Sequence, residues 1–598
     1  MQNFFQDTMQ LTNFVWSIAL FVGCWGLGNP LAKKIKAPGW AAAPIGMAII
    51  ILVAGWLDVT SNATRTTMTL LALGSIGFGL LQIRDIITSV KNIGKCWAWI
   101  AILTGIISAW NGCEYNPLII NWDDSTGYIP VCHELSAHGQ SWAPLSLRRA
   151  LSWGGQFPLQ NLGMLFTSEY GAYVYETSLT SWMWTGVAVS LAKIVGGWRG
   201  PIFGLLIPLL PHTGVNSAPH ASLAIIILAA WTLRQHAWIF GALAASAMAL
   251  RLQAVPMIGL IAIWAIYENY RNNPEIKPIT NWCWKSGVIL LTTIAPFILN
   301  HISQFQTPLP MLHAGTIDPD HLSWVRTEHT TATNFWQVCT LLSMTIITLS
   351  WGMVSPKSRG IAMSALITLF YFTYAMPEYS IGEWLRYSWP IILVAMLVII
   401  NSAPNTVWIT IFAMACITLP TISFMKERSK KTAIPKISVE KLMQKKEEQA
   451  TKAGPTINQL DFLKLADVQN LVPENATLAI ISAQTSYANF ERNKIFNLDE
   501  FTAIGNTPTE KTMGAWQKWG SKHGIDFLIF NDFAATSGGQ TLEKIWLTPS
   551  TSAVNLKHYQ RVWYPKRKKV IDALNGWKTT YPHQSLHGFI LMDLRSEK

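Results

Sequence analysis

The chain has 598 residues, half of them apolar and only 13% charged, with a net charge of +12. A soluble protein would carry roughly 25% charged residues, so a soluble globular class is excluded and a polytopic α-helical membrane protein is expected. The basic excess does not point to nucleic acid, because many Lys and Arg lie in short links between apolar segments, as the positive-inside bias requires.

Residues 1–10 carry no Lys or Arg, so no cleavable signal is expected there. Apolar segments begin near 11–28, 39–57, 66–83 and 96–111. Further ones lie near 175–194, 200–211, 218–233, 236–250 and 253–268, then near 285–300, 336–353, 360–376, 385–401 and 404–424. The count is about fourteen, several of them shorter than the roughly 20 residues that span a bilayer. The 29 tryptophans suit a chain with many membrane–water interfaces.

Alternate links hold most of the basic residues: Lys33, Lys34 and Lys36, then Arg84, Lys91 and Lys95, then Lys193 and Arg199. Arg234 follows, then Arg271, Lys277 and Lys285, then Lys357 and Arg359. The intervening links hold Arg65, Arg148, Arg149, Arg251, Arg326 and Arg386. The basic set belongs in the cytoplasm. The N-terminus, the loop 112–174 and the region after the last segment are then expected on the outer face. Lys426, Arg428, Lys430 and Lys431 oppose that last assignment, although long soluble domains translocate regardless of charge.

Residues 425–454 are rich in Lys and Glu and read as a linker or an exposed helix. From 455 to 598 the composition changes. "FLKLADVQNLVPENATLAIISAQ" predicts a short helix, a turn and a strand, and "EKTMGAWQKWGSKHGIDFLIFN" an amphipathic helix, a stop at Gly524 and a strand. "HGFILMDL" predicts a last strand. The expectation is a small α/β domain with its own core.

The seven cysteines show no metal-binding spacing. Cys113 and Cys132 share the loop 112–174, where an oxidising compartment would allow a disulfide; two separate thiols are the other reading.

That loop also carries Asp123 and Asp124, just beyond an apolar segment, in "INWDDSTGYIPVCHELSAHG". A carboxylate there is either simply solvated or functional. The loop is about sixty residues long, which is unusual without a function. Its middle, "PLSLRRALSWGGQFPLQNLGMLF", mixes Arg148 and Arg149 with Leu and Trp, as an amphipathic surface helix would. A carboxylate beside arginines at head-group level suits a phosphate-bearing lipid. Arginine binds phosphate through its planar fork, and a carboxylate accepts a proton from a hydroxyl.

"DDSTGYIPVCHELSAHG" resembles the first-loop motif of the C-type (GT-C) glycosyltransferase superfamily, closest to its protein O-mannosyltransferase and lipid A aminoarabinose transferase branch. That motif is an acidic pair, an aromatic, a short helix and a Gly. Counting back from Tyr128 and Gly139 places Asp124 at the family's principal aspartate. Asp123 is an extra neighbour, because the family's second acid would fall at Ser125. "LRLQAVPMIGLIAIWAIY", "GEWLRYSWPIILVAMLVII", "VPENATLAII" and "KHGIDFLIFN" extend the likeness over roughly residues 96–598, the aspartate loop alone being specific.

The resemblance implies a transmembrane catalytic core over 96–424, preceded by extra transmembrane helices over 1–95. It implies a plasma-membrane enzyme of the cell envelope that moves a sugar from a polyprenyl-phosphate carrier to an acceptor protein, lipid or glycan on the outer face. Asp124, at the principal position, or its neighbour Asp123 would be the general base, attack on the anomeric carbon would invert it, and the lipid phosphate would leave. Arg386, Arg148 and Arg149 would bind that phosphate, each with an interfacial or head-group role as the alternative.

Glu169 and Glu176 read as solvated loop residues, with assistance to catalysis or metal binding as the alternative. His301, His313, Asp318, Asp320, His321, Arg326, Glu328 and His329 form a polar loop without diagnostic metal spacing, so a divalent metal is neither required nor excluded. Arg251 either pairs with a carboxylate or lines a cavity. The alternative function is a transporter or flippase of lipid-linked glycan. It would call for deep charges and related halves of the chain, and the sequence has few of the first and no repeat.

Overall fold

The computed structural model describes residues 2–91, 96–113, 127–141, 152–167, 171–194, 199–213, 218–305, 308–310, 332–375 and 381–402. It also describes 411, 413, 415–416, 464–482, 485, 488–498, 508, 512–533, 536–537, 540–541, 543 and 564–595.

The chain is mainly helical. It opens with α1 (Gln2–Lys34), α2 (Ala42–Val59), α3 (Arg65–Leu81), α4 (Ile83–Lys91) and α5 (Cys96–Gly112). Two short helices follow, α6 (Ile129–His138) and α7 (Gln156–Met164). A π-helical turn at Tyr175–Leu179 leads into α8 (Thr180–Ile194). Then come α9 (Arg199–Leu206), α10 (Ala221–Thr232), α11 (Ala237–Leu250), α12 (Ala254–Asn272) and α13 (Ile276–Phe305). The last of this set are α14 (Ala332–Val354), α15 (Arg359–Ala375) and α16 (Ile381–Ser402).

Each apolar segment expected between residues 11 and 401 coincides with a helix. The segment near 404–424 lies almost wholly outside the described residues. Three described helices are long and apolar enough to cross a membrane: Thr8–Lys34, Gly39–Val59 and Ile276–Gln304. Other apolar helices are shorter over their described residues, such as Ala221–Thr232. Packing explains how a short helix persists here: Ala221 through Trp231 are all buried, so α10 meets neighbouring helices on every side.

Hydrogen bonds sort the helix ends into two sets. On one side, Trp16 of α1 donates to the Leu162 carbonyl at 2.9 Å, and Asn300 of α13 donates to Asp58 at the end of α2 at 3.0 Å. On the other, Lys33 of α1 meets Asp85 of α4 at 2.5 Å. Arg234, after α10, holds Glu268 of α12 at 2.8 Å, and the Arg234 carbonyl accepts from Trp282 of α13 at 3.0 Å. Lys33 and Arg234 belong to the basic set, whereas Asp58 shares its side with the loop that carries α6. The helices therefore alternate in direction, as the basic links suggest.

The segments before residue 96 are no separate module. Residues from Trp16 to Cys416 share one continuous apolar core. α1 and α2 touch backbone to backbone: a Cβ on Gly46 would lie 1.6 Å from the Cys24 carbonyl oxygen. Small residues permit such approaches where lipid provides no hydrophobic drive.

The C-terminal region holds α17 (Leu465–Gln469), β1 (Thr477–Ile481), β2 (Lys494–Asn497), α18 (Met513–His523), β3 (Phe527–Asn531), β4 (Thr536–Ser537), β5 (Gln540–Thr541), α19 (Tyr564–Thr580), β6 (Gln584–Leu586) and β7 (Phe589–Asp593). The main sheet has the order β2-β1-β3-β7-β6. β1 pairs parallel with β2 and β3, whereas β7 runs antiparallel to β3 and β6. Strand residues alternate between two cores. Ala479, Leu528, Phe530 and Ile590 pack with Trp516 of α18 and Trp577 of α19. Leu478, Ile480, Ile529 and Leu591 pack with Leu465 and Val468 of α17. Gly524, in the left-handed region at φ 65°, ends α18 where the sequence places the stop.

Candidate functional site around the helix after the aspartates

α6 starts directly after Tyr128, the aromatic of the motif, and has Pro in its first turn, where the missing N–H costs no helical bond. It stops at Gly139, which takes φ 73° and sends its N–H to the Leu135 carbonyl. A Cβ at Gly139 would lie 2.3 Å from the Ser61 carbonyl oxygen. The Gly139 carbonyl accepts from Ala63 N–H at 2.9 Å, so the end of α6 rests on the turn between α2 and α3.

Two residues on, Ser141 is tied to α2. Its N–H and hydroxyl each donate to the Asp58 carboxylate at 2.6 Å. Asn300 donates to Asp58 and to Ser141 Oγ, both at 3.0 Å, and Gln304 donates to the Ser141 carbonyl at 2.6 Å. α7 closes another face, with Asn161 donating to the Cys132 carbonyl at 3.0 Å. Cys132 Sγ lies 3.7 Å from the Phe157 carbonyl. Cys113 and Cys132 are both buried thiols, so the disulfide does not form.

The remaining face of α6 meets the C-terminal sheet. Ile495 N–H of β2 donates to Glu134 Oε1 at 3.2 Å, and the His133 ring stacks on Phe490 with centroids 5.3 Å apart. Ala137 packs into the core on that side of the sheet. His138 lies 3.6 Å from Glu134 Oε2 and hydrogen-bonds the backbone at Asn493 and Phe490. Burial pushes the Glu134 carboxyl well above its ordinary 4.5, against the N–H of Ile495 and the charge of Lys494. Burial, with Lys494, holds the His138 ring below 6.5. α6 and α7 thus lie on the same side of the helices as the C-terminal domain.

A second buried cluster lies on that side. Glu176, in the π-helical turn, caps α10. Its carboxylate accepts from the backbone N–H of His220 at 2.6 Å, from that of Ala221, and from that of Ser222 at 3.3 Å. The Ser222 hydroxyl donates to it at 2.7 Å and lies 3.0 Å from the Tyr175 hydroxyl. A negative charge there complements the positive end of the helix dipole. Arg251 lies close enough to act electrostatically on Tyr175. The solvated reading of Glu176 is therefore wrong: the residue is 1% exposed. Its partners lie more than forty positions downstream, and the only local signal was the Ser in "PHAS", a helix start without an acidic cap of its own.

Asp123, Asp124, Arg148, Arg149 and Glu169 lie outside the described residues. Arg386 lies in the first turns of α16. The other end of α16 packs at Gly352, where a Cβ would meet Ile399 and Ala362 at the start of α15. The same end of the fold holds Gly360 against Trp264, which donates to Glu268. The Arg386 end of α16 is therefore on the side of α6 and Glu176. Of the residues expected in a polar loop, His301 instead lies inside α13 and is buried, and residues 311–331 lie outside the described part. Among the described residues no group of three His, Cys, Asp or Glu could hold a metal ion.

No protein-family model matches this chain, and no curated protein or solved structure matches it significantly.

Proposed function

We propose that this protein is a membrane glycosyltransferase that moves a sugar from a polyprenyl-phosphate carrier to an acceptor on the outer face. The observation that carries the reading is the form of the motif. Tyr128, a short helix and a left-handed Gly139 follow the aspartates in the order the GT-C motif calls for. Placement of α6, the C-terminal domain and the Arg386 end of α16 on one side of the helices supports it further.

In this reading Asp124 takes the proton from the acceptor hydroxyl as its oxygen attacks the anomeric carbon, and the carrier phosphate leaves with the bonding pair. Arg386, with Arg148 and Arg149, stabilises the charge that builds on that phosphate; such a term is large in a water-poor site. Glu176 has a positioning role, since its carboxylate is already engaged by α10. The larger architecture belongs to the same reading: about fourteen spans, a catalytic core over 96–424 and an extracytoplasmic C-terminal domain.

The test uses purified protein in nanodiscs with a panel of polyprenyl-phosphate sugars, following release of the free carrier phosphate. Wild type should release it, Asp124→Asn should not, and Asp123→Asn should keep a measurable rate. Full release by Asp124→Asn would remove the assigned base. No release with any donor, together with carrier movement across liposomes, would establish transport instead.

A further inference from the structure

β2 is an edge strand of the main sheet. The outer N–H groups of an edge strand have no strand to pair with and must be covered or solvated. Here Ile495 N–H finds a carboxyl from a different part of the chain, on α6. Glu134 is 2% exposed. A buried carboxyl is costly unless its oxygens are engaged; here Oε1 accepts from Ile495 N–H, whereas Oε2 lies 3.6 Å from His138 and makes no hydrogen bond among the described residues. The contact therefore rests on the Oε1 bond, with His133 stacked on Phe490 beside it.

We propose that the C-terminal domain is a working part of the site: its edge strand clamps α6 through Glu134, with His133 and Ala137 beside it, and the clamp sets the placement of the motif at the N-terminal end of that helix. The activity arm of this inference rests on the proposed glycosyl transfer. The physical clamp does not.

The charged and titratable groups around the clamp come from three elements. α6 supplies His133, Glu134 and His138. The domain supplies Lys494, together with Arg492 paired to Glu474 at 2.8 Å. Arg65, at the start of α3, faces Glu491 at 3.8 Å. Docking buries Glu134 and raises its carboxyl, so the contact takes up a proton, and its strength falls as pH rises above 4.5 toward the raised value. Docking lowers the His138 ring, so that contribution is complete above 6.5 and falls as pH drops below it. Between 4.5 and 6.5 the two oppose one another. Above 6.5 the His138 contribution is complete, so any further change with rising pH comes from Glu134 and is a loosening of the clamp.

The experiment is hydrogen exchange by mass spectrometry on the full chain in nanodiscs, corrected for intrinsic rates, at pH 6.5 and 8.5. Carrier-phosphate release is measured on the same samples. In wild type, peptides covering 490–498, 129–138 and 120–128 should all exchange faster at the higher pH. Glu134→Ala should raise exchange in all three by about tenfold even at pH 6.5, the scale of one buried hydrogen bond, and should slow release with it. Glu134→Gln keeps an acceptor for Ile495 and removes the titration, so it should match wild type at pH 6.5 and lose the added exchange at pH 8.5. Unchanged exchange in Glu134→Ala would overturn the clamp. Faster exchange at 490–498 with no change at 120–128 would overturn its hold on the motif. A wild type that releases no sugar from any donor would sink the transferase reading, and the exchange at 120–128 would still decide this inference.

Discussion

The Asp58 carboxylate accepts both the backbone N–H and the hydroxyl of Ser141, each at 2.6 Å, across 83 residues of sequence. This pair joins the end of α2 to the residue just past α6, with Asn300 of α13 as third member. It gives the first helices a purpose: they form the seat on which the motif helix rests.

Asp58→Ala should therefore unseat α6. It leaves the buried N–H and hydroxyl of Ser141 without their acceptor, at about 1–3 kcal/mol for each unsatisfied group. The thermal midpoint in detergent should drop by several degrees, and exchange should rise in 129–141 before it rises in α1. Asp58→Asn keeps one acceptor oxygen and should fall between the two. An unchanged midpoint in Asp58→Ala would show that water replaces the carboxylate at no cost.

Gly139→Ala tests the same seat from the other end. The left-handed conformation costs a residue with a Cβ about 1–2 kcal/mol. The new methyl would also lie 2.3 Å from the Ser61 carbonyl, which is backbone and cannot turn aside. The expected result is a lower midpoint than strain alone gives and faster exchange at Ala63, whose N–H bonds the Gly139 carbonyl. Gly524→Ala is the control, because its φ is 65° but nothing lies within 4 Å of a Cβ there. Equal losses at the two glycines would show that the contact with Ser61 carries no weight.

Glu176 separates a positioning role from a catalytic one. Glu176→Ala strips the acceptor from the backbone N–H groups at the start of α10 and should lower stability by about 1–3 kcal/mol. Glu176→Gln retains one oxygen acceptor but turns an amide toward donors, so it should lose less. If the residue only holds α10, carrier-phosphate release should follow the midpoint in both variants. A Gln variant that is as stable as wild type and releases nothing would instead make Glu176 a reacting group.

The helices were legible because a long apolar run with few charges leaves the backbone few other ways to satisfy its hydrogen bonds away from water. The C-terminal strands and the Gly524 stop were legible because their signals are local: a switch to strand-like apolar runs and a glycine after an amphipathic helix. The buried carboxylates were not. Asp58, Glu134 and Glu176 each sit at or beside the end of an apolar or motif segment, where sequence alone suggests a solvated residue. Each is buried by a partner far along the chain: Ser141 for Asp58, Ile495 for Glu134, and the start of α10 for Glu176. A local pattern cannot report such a partner. Aspartates 123 and 124 drew attention by their spacing to Tyr128 and Gly139, and the structure supplies the helix between those two residues.

Trp577 links the stability of the C-terminal domain to the motif helix. It is fully buried and meets Trp516 edge-on, with centroids 4.7 Å apart and planes at 71°. Together they join α18 and α19 over one face of the sheet. Trp577→Ala removes one of the three tryptophans of that core and should cost about 3–5 kcal/mol, a large fraction of the roughly 5–15 kcal/mol that holds a domain folded. Exchange should rise across β1, β3 and β7 and, because β2 then no longer presents a fixed Ile495 N–H, also in α6. α1 and α2 belong to the separate membrane core and should be unaffected. If the sheet loosens and α6 keeps its protection, the Asp58–Ser141 seat alone holds the motif helix, and the domain adds nothing to it.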